Sequence, residues 1–243
     1  TFSEIISFFK DYEIESLGIG SFGPIVIDSK SKDYGIIVAE SKEGWNGVNV
    51  VKNLSTISSH IILDTDVNAA AYGEYNYGSG RKCKTLVYVT IGTGIGAGIL
   101  LKGKSHIGNF HLEIGHMQIP NLDNSKGVCR SHGNCWEGLA SGPAMKSRWN
   151  IEASKLGKRH EAWEKEAELI AFGLVNIISN HSPDKIILGG GVMKQRHLLP
   201  MIRKNVEVLW NNYIPLESVS NLIVEPGLGL DSGIIGSLEL TKI

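Results

Sequence analysis

His60-Ile61-Ile62-Leu63-Asp64-Thr65-Asp66-Val67-Asn68-Ala69-Ala70-Ala71 is the stretch on which the fold turns. Residues 60–63 read as an apolar strand, two carboxylates close it, and an alanine-rich helix is expected from Ala69 onward. A carboxylate at the C-terminal end of a strand, beside a helix start, faces the crevice where α/β sheets bind ligands. Asp66 can serve there in two ways. It can cap the helix, worth about 1 kcal/mol, or act as a general base that takes a proton from a hydroxyl attacking phosphorus. The residues alone leave both readings open.

Working outward, the same alternation continues on both sides. Residues 1–13 place Phe2, Ile5, Ile6, Phe8 and Phe9 at helical spacing, 16–19 read as a buried strand, and Gly20-Ser21-Phe22-Gly23-Pro24 as a turn. A helix is expected over 48–58. After a break near 78–84 come a strand at 86–91, a glycine turn at 92–96, a returning strand at 97–102 and a polar loop to about residue 136. Helices at 142–150, 162–179, 198–210 and 233–240 are interleaved with strands at 185–188 and 222–225. Alternating helices and strands with chemically active residues at strand ends define the α/β class.

Composition narrows the function. The chain has 243 residues, 42% hydrophobic, enough for a sizeable core. A net charge of -1 supplies no basic field, so neither nucleic acid nor an anionic membrane surface is an expected partner. No apolar run is long enough to span a bilayer, and a cytoplasmic location is expected. The 29 glycines cluster, which points to tight turns and close backbone approach to a ligand. Three cysteines, an odd number, argue against a disulfide framework and leave thiols for metal or packing. The chain opens at Thr1, inside an amphipathic segment and without methionine, and residues are expected to precede it.

Three further constellations carry chemistry. Thr90-Ile91-Gly92-Thr93-Gly94-Ile95-Gly96 lies between two strand-like runs, where bare backbone N–H groups and threonine hydroxyls can face an anion. It is not a Walker A loop, since no Gly-Lys-Ser/Thr follows, and a purely structural hairpin has the same look. Glu113-Ile114-Gly115-His116, followed by Cys129-x-x-His132-x-x-Cys135-x-Glu137, offers two imidazoles and two thiols, a four-ligand set suited to tetrahedral zinc. Four protein ligands leave no open position, so such a metal would be structural, set against the plainer reading of a loop with reduced cysteines. His111 and Cys83 fit no such set and read as background. Ile186-Ile187-Leu188-Gly189-Gly190-Gly191 ends a strand in bare backbone that can accept a flat base or ribose.

In this order the pieces resemble the ROK family of sugar kinases and repressors, within the actin-like ATPase superfamily. The resemblance runs over essentially the whole chain. It takes in Gly18 to Pro24, Ser41-Lys42-Glu43-Gly44-Trp45, Thr65 to Ala69, the glycine hairpin, Glu113-x-Gly-His116 and the Cys/His cluster. It continues through Ala140-Ser141-Gly142-Pro143-Ala144, Gly189 to Gly191 and Gly229-x-x-x-Gly233. The Cys-x-x-His-Gly-x-Cys form and Lys42-x-Gly-Trp45 look like the fructokinase branch.

The resemblance implies a two-lobed actin-like (ribonuclease H-like) α/β fold. Residues 1–78 would be the remnant of an incomplete N-terminal lobe. Residues 79–230 would form a larger lobe with a zinc loop at 116–135, and the helix at 231–243 would pack back on the first. It implies an ATP-dependent kinase using magnesium and a structural zinc, in a homodimer, with D-fructose the expected hexose substrate and fructose 6-phosphate the product. A mannokinase, a glucokinase or a sugar-responsive repressor are the alternatives. Asp66 would be the catalytic base. Gly23, Pro24, Asn68, Glu113, His116 and Glu137 would line the sugar site. Thr90, Gly92, Thr93, Gly94, Gly189, Gly190 and Gly191 would hold the nucleotide, and His116, Cys129, His132 and Cys135 the zinc. The metal would then fix Glu113 and Glu137 relative to His116. Three departures stand out: His132 stands where many members have cysteine, Thr65 occupies a place where asparagine is frequent, implying one altered sugar contact, and the family's first phosphate motif, Asp-x-Gly-Gly-Thr-Lys, is absent.

Overall fold

The computed structural model describes residues 1–40, 42–216 and 218–242; Ser41, first residue of the Ser41–Trp45 motif, lies outside them. In chain order the elements are α1 (Phe2–Phe9), β1 (Leu17–Ser21), α2 (Val50–Leu54), β2 (Ile61–Thr65), α3 (Asp66–Tyr77), β3 (Thr85–Ile91), β4 (Ile95–Leu101) and β5 (Lys104–Ser105). They continue with α4 (Trp136–Ala140), α5 (Gly142–Trp149), α6 (Ala162–His181), β6 (Lys185–Gly189), α7 (Leu198–Trp210), α8 (Val219–Leu222), β7 (Ile223–Val224) and α9 (Ser232–Leu240). The α/β class is as expected. No helix among the described residues is long and apolar enough to cross a membrane.

The central strands are apolar almost without interruption because both faces of their sheet are buried. That sheet runs β5-β4-β3-β6-β7, with β3, β6 and β7 parallel and β4 and β5 antiparallel. Successive side chains of a strand point to opposite faces, and the two faces feed two cores. Val87, Val89 and Ile91 of β3, with Ile186 and Leu188 of β6, join a large cluster with Trp136 of α4, Trp163, Ile170 and Leu174 of α6, and Ile202 of α7. Leu86, Tyr88 and Ile187 point the other way, onto Ala69, Ala70 and Ala71 of α3 and Leu240 of α9. Each such apolar side chain contributes roughly 1.5–3 kcal/mol on burial. Trp136 and Trp163 are wholly buried, and their indole N–H groups donate to Leu169 O at 3.0 Å and Gly157 O at 2.9 Å.

A second, parallel pair, β1 and β2, packs with α1 and α2 around Ile25, Ile37, Leu54 and Leu63. α9 runs along α3 and reaches β1. The helices approach so closely that a Cβ on Gly236 would collide with the Ala69 carbonyl, so glycine is required at that crossing. Glu74 of α3 is fully buried, and its carboxylate accepts from Ser79 N, Gly227 N, Leu228 N and Ser232 Oγ, which fastens α3 to the turn before α9.

Two boundaries differ from expectation for local reasons. The helix expected over 48–58 is only Val50–Leu54: Asn49 caps its start by accepting from Lys52 N, and Ser55 Oγ then donates to Lys52 O, competing with the backbone ladder. The alanine-rich helix starts earlier, at Asp66, because Thr65 caps it.

Candidate functional site

The registers align strand ends in pairs. Ser21 of β1 lies opposite Thr65 of β2, so the Gly23–Pro24 turn, with a cis peptide bond, emerges beside Asp66. Thr90 of β3 lies opposite Gly189 of β6, so the hairpin glycines emerge beside Gly190 and Gly191. A Cβ on Gly92 would meet Gly191 N at 3.6 Å, and Gly92 O accepts from Gly142 N at 2.8 Å, at the head of α5. The structure therefore brings Thr90 and Gly92 together with the Gly189–Gly191 run, while Gly94 lies against Glu137 and Thr93 is exposed at the tip. Both pairs lie at the carboxyl ends of parallel strands, where α/β sheets bind ligands.

At the β2–α3 corner the capping role falls to Thr65, whose Oγ1 accepts from Asn68 N at 3.2 Å. Thr65 is 4% exposed, so its hydroxyl serves the helix and not the cleft. Asp64 is buried too, and its Oδ1 accepts from Asn68 Nδ2 at 2.6 Å and Thr65 N at 2.7 Å, which orients the Asn68 amide. Asp66 is left with a single bond from Val67 N at 2.9 Å. It is open to solvent at the floor of the cleft, yet protein crowds its carboxylate enough that desolvation raises its pKa, partly offset by the Val67 N–H and by Lys42. Burial raises Asp64 as well, against its bonds to Asn68 and Thr65.

Across the cleft, Glu113 stands between two imidazoles. Its Oε1 is 3.6 Å from His111 Nδ1 and its Oε2 is 3.8 Å from His116 Nε2. Burial raises the Glu113 pKa, opposed by His111 and His116 and reinforced by the nearby Glu137 carboxylate. Glu137 is held at the start of α4, where its Oε2 accepts from Ile95 N at 2.9 Å. His111 and Lys42 each oppose the rise in pKa of both Asp66 and Glu113, so these four groups are neighbours. Lys42 Nζ sits 4.1 Å above the Phe22 ring, and Phe22 packs edge-on against Trp45 at 5.2 Å.

The four predicted metal ligands do come together. One donor atom from each of His116, Cys129, His132 and Cys135 lies within 4.8 Å of the other three. His116 Nδ1 is 3.5 Å from Cys135 Sγ and 3.7 Å from Cys129 Sγ, which is 3.7 Å from His132 Nδ1. The backbone turns inward at both sulfurs, since His132 N and Gly138 N each donate to a Cys Sγ at 3.4 Å. Burial and the neighbouring Cys129 push the Cys135 thiol up to about 11. Two sulfurs and two nitrogens converging on one point is a donor set that fits tetrahedral zinc.

Of the two residues read as background, Cys83 stays apart in the core, but His111 does not. It is 4% exposed, and its Nε2 accepts from Ile25 N at 3.0 Å. No spacing in the sequence marks it, because its partners are a backbone amide 86 residues away and a turn with no side chain to name.

The ROK family profile matches residues 2–243. The chain is 38% identical over 245 residues to the fructokinase of Pediococcus pentosaceus, covering 100% of this chain and 85% of that protein. It is also 38% identical over 251 residues to the fructokinase of Streptococcus mutans, again covering 100% and 85%. Among solved structures, a ROK family glucokinase from Streptomyces griseus in complex with glucose and AMPPNP superposes with a TM-score of 0.77 at 24% identity, over 99% of this chain and 87% of that one.

Proposed function

The chain belongs to the ROK family, and from that premise we propose that it is an ATP-dependent sugar kinase whose preferred substrate is D-fructose, phosphorylated at the 6-hydroxyl. The observation that carries the reading is the β2–α3 corner. Asp66 is the one carboxylate there not committed to side-chain bonding, and its pKa is raised while Asp64 and Thr65 are engaged in holding Asn68. A carboxylate with a raised pKa is a stronger base once ionised, which suits proton removal from an attacking hydroxyl.

In this reading Asn68, Glu113, His116 and Glu137 hydrogen-bond the sugar hydroxyls, and the Gly23–Pro24 turn closes the pocket on the other side. The backbone of Gly92 to Gly94, with the Thr90 and Thr93 hydroxyls, faces the nucleotide phosphates, and Gly189 to Gly191 offer a bare surface to the nucleoside. Phosphoryl transfer asks little covalent work of a protein, so positioning and electrostatics carry the rate. His116, Cys129, His132 and Cys135 would hold zinc, which would supply no chemistry beyond fixing the loop between Glu113 and Glu137. Division into lobes of residues 1–78 and 79–230, with α9 returning to the first, belongs to the same proposal. The relatives named fructokinase, at 38% identity, favour fructose over the other hexoses.

The test is ADP release by the protein with ATP and magnesium, in the presence of fructose, mannose or glucose. Fructose-dependent turnover exceeding that with either other sugar is expected. Folded protein that releases ADP with none of the three would sink the kinase reading, and equal or better turnover with mannose or glucose would replace the substrate.

A further inference from the structure

We propose that His111 is a positioning residue for the phosphoryl-acceptor site, one that couples the Gly23–Ile25 turn to the Glu113 carboxylate. The inference rests on the sugar-kinase reading, because it assigns Glu113 to the sugar.

The ring has two nitrogens with different tasks. Nε2 accepts from Ile25 N at 3.0 Å, so it carries no proton. The proton of the neutral ring is therefore on Nδ1, which faces Glu113 Oε1 at 3.6 Å and Leu112 O at 3.5 Å. Glu113 Oε2 in turn faces His116 Nε2 at 3.8 Å, and His116 Nδ1 faces Cys135 Sγ and Cys129 Sγ. One carboxylate is thus flanked on both sides, by His116 from the Cys/His cluster and by His111 from the turn, each within reach of a hydrogen bond after a small shift of the Glu113 side chain. The ring also fills the space beside the turn: a Cβ on Gly23 would lie 2.7 Å from His111 Cε1, 3.0 Å from Nε2 and 3.3 Å from Glu113 Oε1. Glycine is needed at 23 because the ring and the carboxylate occupy the place of its side chain. At 4% exposure His111 cannot itself be a broad sugar contact; it acts through Glu113 and through the turn.

A histidine that merely satisfies the Ile25 amide would need only Nε2. The two functions separate by substitution. In His111→Gln the side-chain carbonyl can take the place of Nε2 as acceptor for Ile25 N–H, while no donor stands at the Nδ1 position that faces Glu113. In His111→Asn the amide N–H₂ can take the place of Nδ1, keeping the donor and losing the turn anchor.

The experiment measures KM for fructose, KM for ATP, kcat and melting temperature for the wild type and both variants, with fructose binding by calorimetry in the absence of ATP. For His111→Gln the expected result is a melting temperature near wild type, a fructose KM and dissociation constant raised about tenfold, as for outer partners of a ligating group, and an unchanged ATP KM. His111→Asn is expected to bind fructose more tightly than His111→Gln despite a lower melting temperature. A fructose KM unchanged in His111→Gln, or fructose and ATP KM rising together in both variants in step with lost stability, would reduce His111 to a turn anchor and overturn the inference. If the wild type itself turns over no hexose, the kinase reading falls and this one with it; wild-type turnover with unaltered variants removes this one alone.

Discussion

The two sides of the cleft are built on different principles. The β2–α3 corner, residues 64–68, is held by the chain itself: a parallel ladder to β1, the Thr65 cap and the 2.6 Å bond from Asn68 Nδ2 to Asp64. The loop from Glu113 to Glu137 has no such frame. Apart from a short 3₁₀ turn at Ile114–His116, it is tied down by the isolated bridges Gln118↔Cys135 and Cys129↔Gly133, by scattered bonds such as Val128 N to Gly138 O and Gly127 N to Asn134 Oδ1, and by four side chains that point at one another. Converging lone pairs repel unless a proton or a cation lies between them, and at Cys135 burial, with a smaller contribution from Cys129, pushes the thiol up to about 11. The corner is organised by secondary structure, while under the proposed function the loop is organised in addition by the zinc it would bind. On the proposed function, a base must be aimed to within a fraction of an ångström, and a loop that reads the sugar must hold two carboxylates at a fixed spacing. On that reading the first task falls to secondary structure and the second to the donor cluster.

Asp66→Asn is the sharpest probe of the corner. Loss of a general base is expected to lower kcat by about 10²–10⁴-fold, with fructose binding nearly unchanged because the Asn68 frame stays in place. Stability should not fall. The folded pKa of Asp66 is raised, so its contribution to stability is fully present below the unfolded value of about 3.9 and lost as pH rises through the folded value. At neutral pH its charge disfavours the fold, and an uncharged amide removes that burden. In kinetics the same shift places the acid limb of kcat/KM above the ordinary carboxylate range, and Asp66→Asn should abolish that limb. Melting curves and pH–rate profiles of both proteins check the pair of statements. A variant that keeps more than a tenth of wild-type kcat would remove Asp66 from the chemistry.

The loop breaks differently. Cys129→Ser, or removal of metal by a chelator, is expected to raise the fructose KM about 10–100-fold and lower the melting temperature, while the ATP KM stays put, because the Gly92–Gly94 turn and Gly190–Gly191 are carried on the ends of β3 and β6 of the central sheet. Elemental analysis should find close to one zinc per wild-type chain and much less in the variant. Were the loop to keep its fructose KM and melting temperature without metal, the contrast between the two sides would collapse.

That contrast also separates what the sequence discloses from what it conceals. The strand runs at 86–91 and 185–188 are legible because a sheet buried on both faces needs apolar residues at every position. The four cluster ligands are legible because rare residue types recur at short spacing. The division of labour between Thr65 and Asp66 is not, since either can cap a helix and they are adjacent; only the 3.2 Å bond to Asn68 N assigns the cap. The early end of α2 depends on where one serine hydroxyl points. His111 is hidden for a deeper reason: its role is defined by a backbone N–H and by the missing side chain of Gly23, and neither leaves a mark in a string of residue types.

The smallest expected effect tests whether the corner is as self-contained as its bonds suggest. Thr65→Ala removes the cap on α3 and leaves the N–H of Asn68 without its side-chain acceptor. The cost is about 1 kcal/mol, read in a denaturant titration as a lower midpoint with unchanged slope and in melting as a fall of about 2–4 °C. Turnover should drop only a few-fold, because the β2 ladder and the Asp64–Asn68 bond still place Asp66. The loss should also be the same with and without chelator, since no ligand of the Cys/His cluster touches the cap. A loss of turnover approaching that of Asp66→Asn would mean that a single hydroxyl aims the base. A loss that grows on chelation would mean that the corner and the loop stiffen each other across the cleft.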